Sequence, residues 1–168
     1  MPAQNEIILI VDADNNETGT LPRHEMRAKG LPHRASYILV FNGRGELFVQ
    51  KRTMTKDIYP GYHDIAAGGV VLAGESYDQA AARELAEELG IIGIPLTPHF
   101  TFHYEDGSNL VWGRVYSCIY DGEMTLQEEE IENGFFLTPD KVLALSEKES
   151  FTPDGLYVLK RYLESKNN

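Results

Sequence analysis

The chain has 168 residues, enough for one domain with a substantial core, and its 42% hydrophobic and 24% charged content is that of an ordinary globular protein. A formal charge of −11 leaves no general basic surface for DNA, RNA or anionic lipid, so neither nucleic acid nor membrane is an expected partner. The single cysteine, Cys118, excludes an internal disulfide and a multi-cysteine zinc site.

The longest apolar runs, "IILIV" and "YILVF", are too short to span a bilayer, and the N-terminus shows no charged-then-apolar leader, so a cytoplasmic location is expected. Taken in chain order, "EIILIVD" reads as a strand, "ADNNETG" as a turn-rich connection, and "LPRHEMRAKG" as a short helix stopped by Gly30. Residues 1–34 thus form an N-terminal lead-in, and the strand's unpaired edge is a candidate surface for a homodimer. "ASYILVFNGRGELFVQKR" predicts a hairpin in which Asn42-Gly43 supplies the left-handed conformations of a tight reversal.

"TMTKDIYPGYHDIAAGG" turns at Pro60-Gly61 and ends on Gly68-Gly69, where the backbone can come close to another group, so it reads as a ligand-facing loop. Ser76 and Gln79 have the spacing of a capping box; Ala80 to Leu89 supply good helix formers, and Gly90 ends the run. "PHFTFHY", "LVWGRVYSCIY" and "ENGFFL" read as strands. "TPDKVLALSEK" and "TPDGLYVLKRYLESK" read as helices, each opening on a threonine N-cap followed by proline. This order predicts a single α/β domain over residues 1–168, with a mixed β-sheet sandwiched between helices.

On the helix after Ser76, Glu84, Glu87 and Glu88 fall at i, i+3 and i+4 and crowd onto one face beside an apolar stripe of Ala81, Leu85 and Leu89. A plain reading is a solvated acidic face. Between Ser76 and Leu89, however, the only cation is Arg83, so the repulsion is not relieved by interleaved lysines. Clustered carboxylates on a rigid element equally suit a hard divalent cation, Mg²⁺ or Mn²⁺, that bridges to phosphate oxygens.

Gly69, Glu75 and the run from Arg83 to Ile91 match GX5EX7REUXEEXGU, with U apolar, at every specified position, and so resemble the box of the Nudix hydrolases. The resemblance implies the Nudix fold and a metal-dependent hydrolase that cleaves a diphosphate linkage in a nucleoside diphosphate derivative. It implies Glu84, Glu87 and Glu88 as metal ligands, with the carbonyl of Gly69 as a further one. Arg83 would orient Glu84 or its neighbours, and Glu75 would pair with a cation or stand behind the ligands. As general base it points to Glu84 within the box and to Glu130 outside it, with Glu129 in reserve.

"LPHRASYILVFNGRGELFVQKR" and "KDIYPGYHD" also resemble the isopentenyl-diphosphate isomerases, which share the fold and shift a double bond by proton transfer. Where those enzymes carry a catalytic cysteine and a metal-binding histidine, this chain has Ala67 and Gly69, which can do neither task. His33, which matches an isomerase metal ligand, is then expected to be a structural residue near the first core strand. A Nudix domain that only binds a nucleotide is the other alternative, though such modules lose box glutamates and this chain retains them all. Tyr104, Trp112 and Tyr116 are read either as sheet core or as platforms for a base.

Overall fold

The structure is a computed structural model that describes residues 2–167. A short 3-10 turn at Ala3–Asn5 leads into β1 (Ile7–Val11), β2 (Glu17–Pro22) and α1 (Arg23–Lys29). The central part holds β3 (His33–Phe41), β4 (Leu47–Arg52), β5 (His63–Asp64), β6 (Ala67–Val70) and α2 (Tyr77–Leu89). It closes with β7 (Thr97–Glu105), β8 (Leu110–Ile119), β9 (Ile131–Leu137), α3 (Pro139–Ser146) and α4 (Pro153–Lys166).

β3 is the spine. It runs parallel to β8 from His33↔Val111 to Phe41↔Ile119, and antiparallel to β6 from Ala35↔Val70 to Ile38↔Ala67. It meets β4 only at Phe41↔Leu47, after which β4 turns away to pair with β5 and β9. The hairpin therefore opens like a fork, and a cleft lies between its arms. Alternation along β3 sends Tyr37 and Leu39 to one core layer, with Val158 and Leu159 of α4, and Ile38 and Val40 to another, with Leu85 and Leu89 of α2. The sheet is thus mixed and flanked by helices on opposite faces, as the order of elements predicts.

Several expectations change. β1 offers no open edge: it pairs with β2 from Ile7↔Pro22 to Ile10↔Gly19 and touches β3 at Ile10↔His33. The turn is confined to Asp12–Asn16, where Asp12 Oδ1 accepts the N–H groups of Asp14 and Asn16 at 2.8 and 2.9 Å. β2 shows no apolar alternation because four of its six residues are exposed, so periodicity could not reveal it. In the β3–β4 reversal the left-handed residue is Gly45 (φ 78°), not Asn42 or Gly43. Asn42 instead accepts the N–H groups of Arg44 and Glu46 through its side chain, both at 3.0 Å, while Gly43 makes room for Asp121, which accepts its N–H at 2.8 Å.

Thr138 and Thr152 stand at the N-cap positions with proline after them, but neither hydroxyl caps its helix. Thr152 donates to Asp64 Oδ1 at 3.0 Å instead. The capping box of α2 forms in full: Ser76 Oγ accepts from Gln79 N at 3.1 Å and Gln79 Oε1 accepts from Ser76 N at 2.9 Å. Ser76→Ala is expected to cost about 1 kcal/mol, lowering Tm by roughly 2–4 °C in a calorimetric melt. An unchanged Tm would show that tertiary packing alone fixes the start of α2.

Candidate active site

A cavity of 630 Å³ occupies the fork between β3 and β4. Glycine shapes its wall. Gly68 has φ 131°, and a Cβ there would lie 2.1 Å from the carbonyl oxygen of Ser36 on β3, so only glycine lets β6 approach so closely. A Cβ on Gly69 would lie 2.9 Å from Glu84 Oε1, so the missing side chain is replaced by a carboxylate arriving from α2.

Arg83 organises the acidic face from behind, since it does not itself line the cavity. Its Nε and Nη2 donate to Glu75 Oε2 and Oε1 at 2.6 and 2.9 Å, a bidentate pair, while Nη1 reaches Glu84 Oε1 at 2.9 Å and Glu87 Oε2 at 3.2 Å. Glu75 is anchored in turn by the N–H of Leu72 at 2.9 Å. Burial opposes the charge of each, yet the pairing wins: the Glu75 carboxyl is held below its ordinary range and the Arg83 pKa is raised.

Glu88 points inward and is 5% exposed, with Oε2 accepting the N–H of Gly68 at 3.0 Å. Burial, and then the neighbouring charge of Glu84, push its pKa up to about 8 against the pull of Lys56. Burial likewise raises Glu84, with Arg83 opposing. Glu87 is the outlying member, its side chain 50% exposed, though it still borders the cavity. Facing them from the loop before β9, Glu130 carries the ammonium of Lys56 against its carboxylate, and Glu129 stands beside it on the rim.

The site residues predicted from sequence are therefore neighbours, but not in a closed coordination shell: among the described residues no three His, Cys, Asp or Glu side chains are arranged to hold a metal ion. The reason is visible in the partners. Arg83 engages one oxygen each of Glu84 and Glu87, and Gly68 engages one of Glu88, whereas Glu84 Oε2 and Glu88 Oε1 accept no hydrogen bond among the described residues. Those two oxygens, on mutually repelling carboxylates of which Glu88 is buried and Glu84 half-buried, are hard donors of the kind a divalent cation takes. The donor set fits such an ion.

The remaining wall comes from residues that motif reading passed over. Arg23 and Arg27 of α1 share Asp57, with Arg23 bidentate at 2.9 and 3.2 Å and Arg27 at 3.3 Å. Arg52 donates to the carbonyl of Ile58 at 2.9 and 3.2 Å and lies 3.6 Å from Asp64. The segment from Thr53 to Gly69 does face the cavity, through Lys56, Tyr59, Asp64 and Ala66 among others, but it is not loop throughout, since it contains β5 and the start of β6. His33 lines it too; burial, then Arg27, push its pKa down to about 3, and its neutral ring donates from Nδ1 to Leu31 O at 3.2 Å. None of Tyr104, Trp112 and Tyr116 borders the cavity: Tyr116 is core, Trp112 packs on His103, and Tyr104 packs on Tyr157. The tyrosine rings that do border it, among the described residues, are those of Tyr37 and Tyr59.

Comparison with known proteins agrees with this arrangement. Residues 31–160 match the NUDIX domain. An uncharacterized Nudix hydrolase of Pseudomonas aeruginosa is 44% identical over 160 residues, covering 95% of each chain. The uncharacterized Nudix hydrolase YfcD of Escherichia coli is 43% identical over 162 residues, 96% of this chain and 89% of that one. Among solved structures, DR0079 from Deinococcus radiodurans superposes with a TM-score of 0.82 at 25% identity, covering 93% of this chain and 98% of that one. The NUDIX domain of Shewanella oneidensis NrtR, complexed with ADP ribose, shares the fold with a TM-score of 0.62 at 15% identity, covering 86% and 99%. With the box complete, its carboxylates gathered on one cavity, and relatives matched over nearly their full lengths, the chain belongs to the Nudix hydrolase family.

Proposed function

We propose that the chain is a metal-dependent hydrolase, working with Mg²⁺ or Mn²⁺, that cleaves a diphosphate linkage in a nucleoside diphosphate derivative. The observation that carries this reading is a pair of carboxylates, buried Glu88 and half-buried Glu84, each with an oxygen that accepts no hydrogen bond among the described residues, facing one cavity beside Gly69. Glu84, Glu87 and Glu88, with the Gly69 carbonyl, would hold the ion. When bound there, a divalent cation neutralises the diphosphate, stabilises charge as a P–O bond breaks, and lowers the pKa of a water.

The chain's own residues do the rest. Arg83 acts as a positioning residue, tying Glu84 and Glu87 to Glu75 so that neither carboxylate swings into solvent. Arg23, Arg27, Arg52 and Lys56 place cations on the cavity wall to receive phosphate oxygens. Glu84 is assigned as the group that takes the proton of the attacking water, and Glu130 is the candidate outside the box, once it parts from Lys56. A solved NUDIX domain complexed with ADP ribose supports the nucleoside diphosphate class as a ligand this fold accommodates.

An isomerase arrangement finds no support, because Ala67 and Gly69, which both line the cavity, present a methyl group and a hydrogen where proton transfer and metal ligation would need a thiol and an imidazole. The direct test is phosphate or nucleotide release from a panel of nucleoside diphosphate derivatives, with and without Mg²⁺ or Mn²⁺. Turnover should require the metal and fall by about a thousandfold, ~4 kcal/mol, in Glu87→Gln combined with Glu88→Gln. Turnover that survives in that double variant would remove the site.

A further inference from the structure

The cations on the cavity wall are held in different ways. Arg23 and Arg27 share Asp57, and Arg52 is held by the Ile58 carbonyl beside Asp64, on the wall opposite α2 that also carries Asp154. A guanidinium has five N–H groups, so each arginine keeps some to spare after these bonds. Lys56 differs. Its ion pair is with Glu130, and its ammonium lies against Oε2 of that carboxylate. The two side chains are 14% and 22% exposed, so water and salt screen the pair little, and both line the cavity that Glu84 and Glu88 enter.

Charge alone holds the contact, because Glu130 Oε2 is buried and makes no hydrogen bond among the described residues. Burial, and then the Arg52 charge, pull the Lys56 pKa down to about 8 against the pull of Glu88, so this ammonium gains from any anion brought close. The backbones on both sides are fixed: Thr53 N donates to Glu130 O at 3.2 Å, Thr53 Oγ1 to Glu129 O at 3.1 Å, and Glu130 N to Gln127 O at 3.0 Å. A change of partner therefore needs only rotation of the lysine side chain, a point charge with three donors on a flexible stem. A diphosphate carries more negative charge than one carboxylate and offers several oxygens, so inside the cavity it outcompetes Glu130 for the ammonium.

The geometry points to Lys56 as an exchange group: in the free protein it masks Glu130, and on binding it passes to the diphosphate of the substrate, leaving the Glu130 carboxylate unpaired. This rests on the reading of the cavity as a diphosphate site. Glu130 is then available to take a proton only while substrate is bound. In the free protein, the same ammonium offsets part of the repulsion among the cavity carboxylates.

The test is calorimetric titration of methylenediphosphonate, a diphosphate analogue whose bridge does not hydrolyse, into Mg²⁺-loaded protein. Glu130→Gln should tighten binding about tenfold, because Lys56 no longer has to leave an anion, and Lys56→Met should weaken it about tenfold. Glu129→Gln removes the same charge from the rim without touching the ion pair, and should tighten binding by less than about threefold. On the Lys56→Met background, Glu130→Gln should change affinity by less than about twofold. A tightening by Glu130→Gln that persists without Lys56, or that Glu129→Gln matches, or no tightening at all, overturns the exchange. Should a variant not fold, the wild type decides: carbodiimide joins an amine to a carboxylate only where they touch. A Lys56–Glu130 cross-link, read by peptide mass spectrometry, should form in the free protein and be largely lost with saturating diphosphonate. Equal yields with and without ligand, or no cross-link in the free protein, overturn the exchange. Failure of the wild type to bind the diphosphonate overturns the diphosphate reading and the exchange with it, whereas binding without these differences overturns the exchange alone.

Discussion

Glu88→Gln should make the metal-free protein more stable and the enzyme inactive. Glu88 is buried, its nearest charged neighbour on α2 is another carboxylate, and one of its oxygens accepts no hydrogen bond among the described residues. Glutamine keeps an acceptor for the Gly68 N–H and removes the charge that burial penalises. The expected gain at pH 8 without metal is about 2 kcal/mol, a rise in Tm of roughly 4–8 °C. Turnover with Mg²⁺ should meanwhile fall by about a hundredfold or more.

The sign of the pH dependence follows from the same residue. The folded protein keeps a proton on Glu88 up to about 8, whereas the unfolded chain releases it near the ordinary value of 4.5. Between those values the folded state binds more protons, so the metal-free wild type should lose stability as pH rises through that window, and Glu88→Gln should lose less. Mg²⁺ at a hundredfold excess over its Kd should return about 2.7 kcal/mol to the wild type. A variant that is less stable than wild type in chelator at pH 8 would mean that Glu88 is a structural anchor for Gly68 and not a functional acid held at a cost.

The adjacent glycines should fail in opposite ways. Gly68→Ala drives a Cβ to 2.1 Å from the Ser36 carbonyl oxygen at a φ of 131°, and both β6 and β3 are pinned by pairing, so nothing flexible can yield. The expected cost is about 4 kcal/mol or more, a fall in Tm of roughly 8–16 °C. Gly69→Ala meets only the end of the Glu84 side chain, at 2.9 Å, and that carboxylate can swing. Stability should change by less than about 1 kcal/mol, while turnover falls about a hundredfold, because a displacement near 1 Å of a ligating group is costly. Thermal melts and initial rates on the two variants decide it; a Gly69→Ala enzyme with normal turnover would detach Glu84 from the chemistry.

Much of this was legible in the sequence where local rules and the motif agree. α2 announced its start with Ser76 and Gln79, its end with Gly90 and its acidic face by spacing, and all three stand in the structure. The glycine pair ending "TMTKDIYPGYHDIAAGG" also located the close approach at Gly68-Gly69. What spacing could not show is depth: at i and i+4 Glu84 and Glu88 read as one exposed face, and only the pairing of β6 with β3 turns Glu88 inward. Likewise β2 is polar and exposed, so it carries no period to read.

The opposite wall was hidden for a related reason. Asp154 reads as a first-turn acid after Thr152-Pro153, and Tyr37 as one of many apolar strand residues; they meet 117 positions apart because α4 packs on the face of β3 that Tyr37 points to. Arg23 and Arg27 lie in the lead-in, before the matched domain begins at residue 31, and reach the cavity only because β1 and β2 join the same sheet. Long-range pairing of that kind leaves no local pattern.

The acidic face of α2 as a seat for a divalent cation is tested most directly by calorimetric titration of Mn²⁺ into wild-type protein and into Glu87→Gln combined with Glu88→Gln, at pH 7 in buffers of different ionisation enthalpy. The wild type should bind the ion and release a proton from Glu88 as it does so, giving buffer-dependent heats, and the variant should give neither. Equal binding by both proteins, or no binding by the wild type even with a nucleoside diphosphate present, would contradict it.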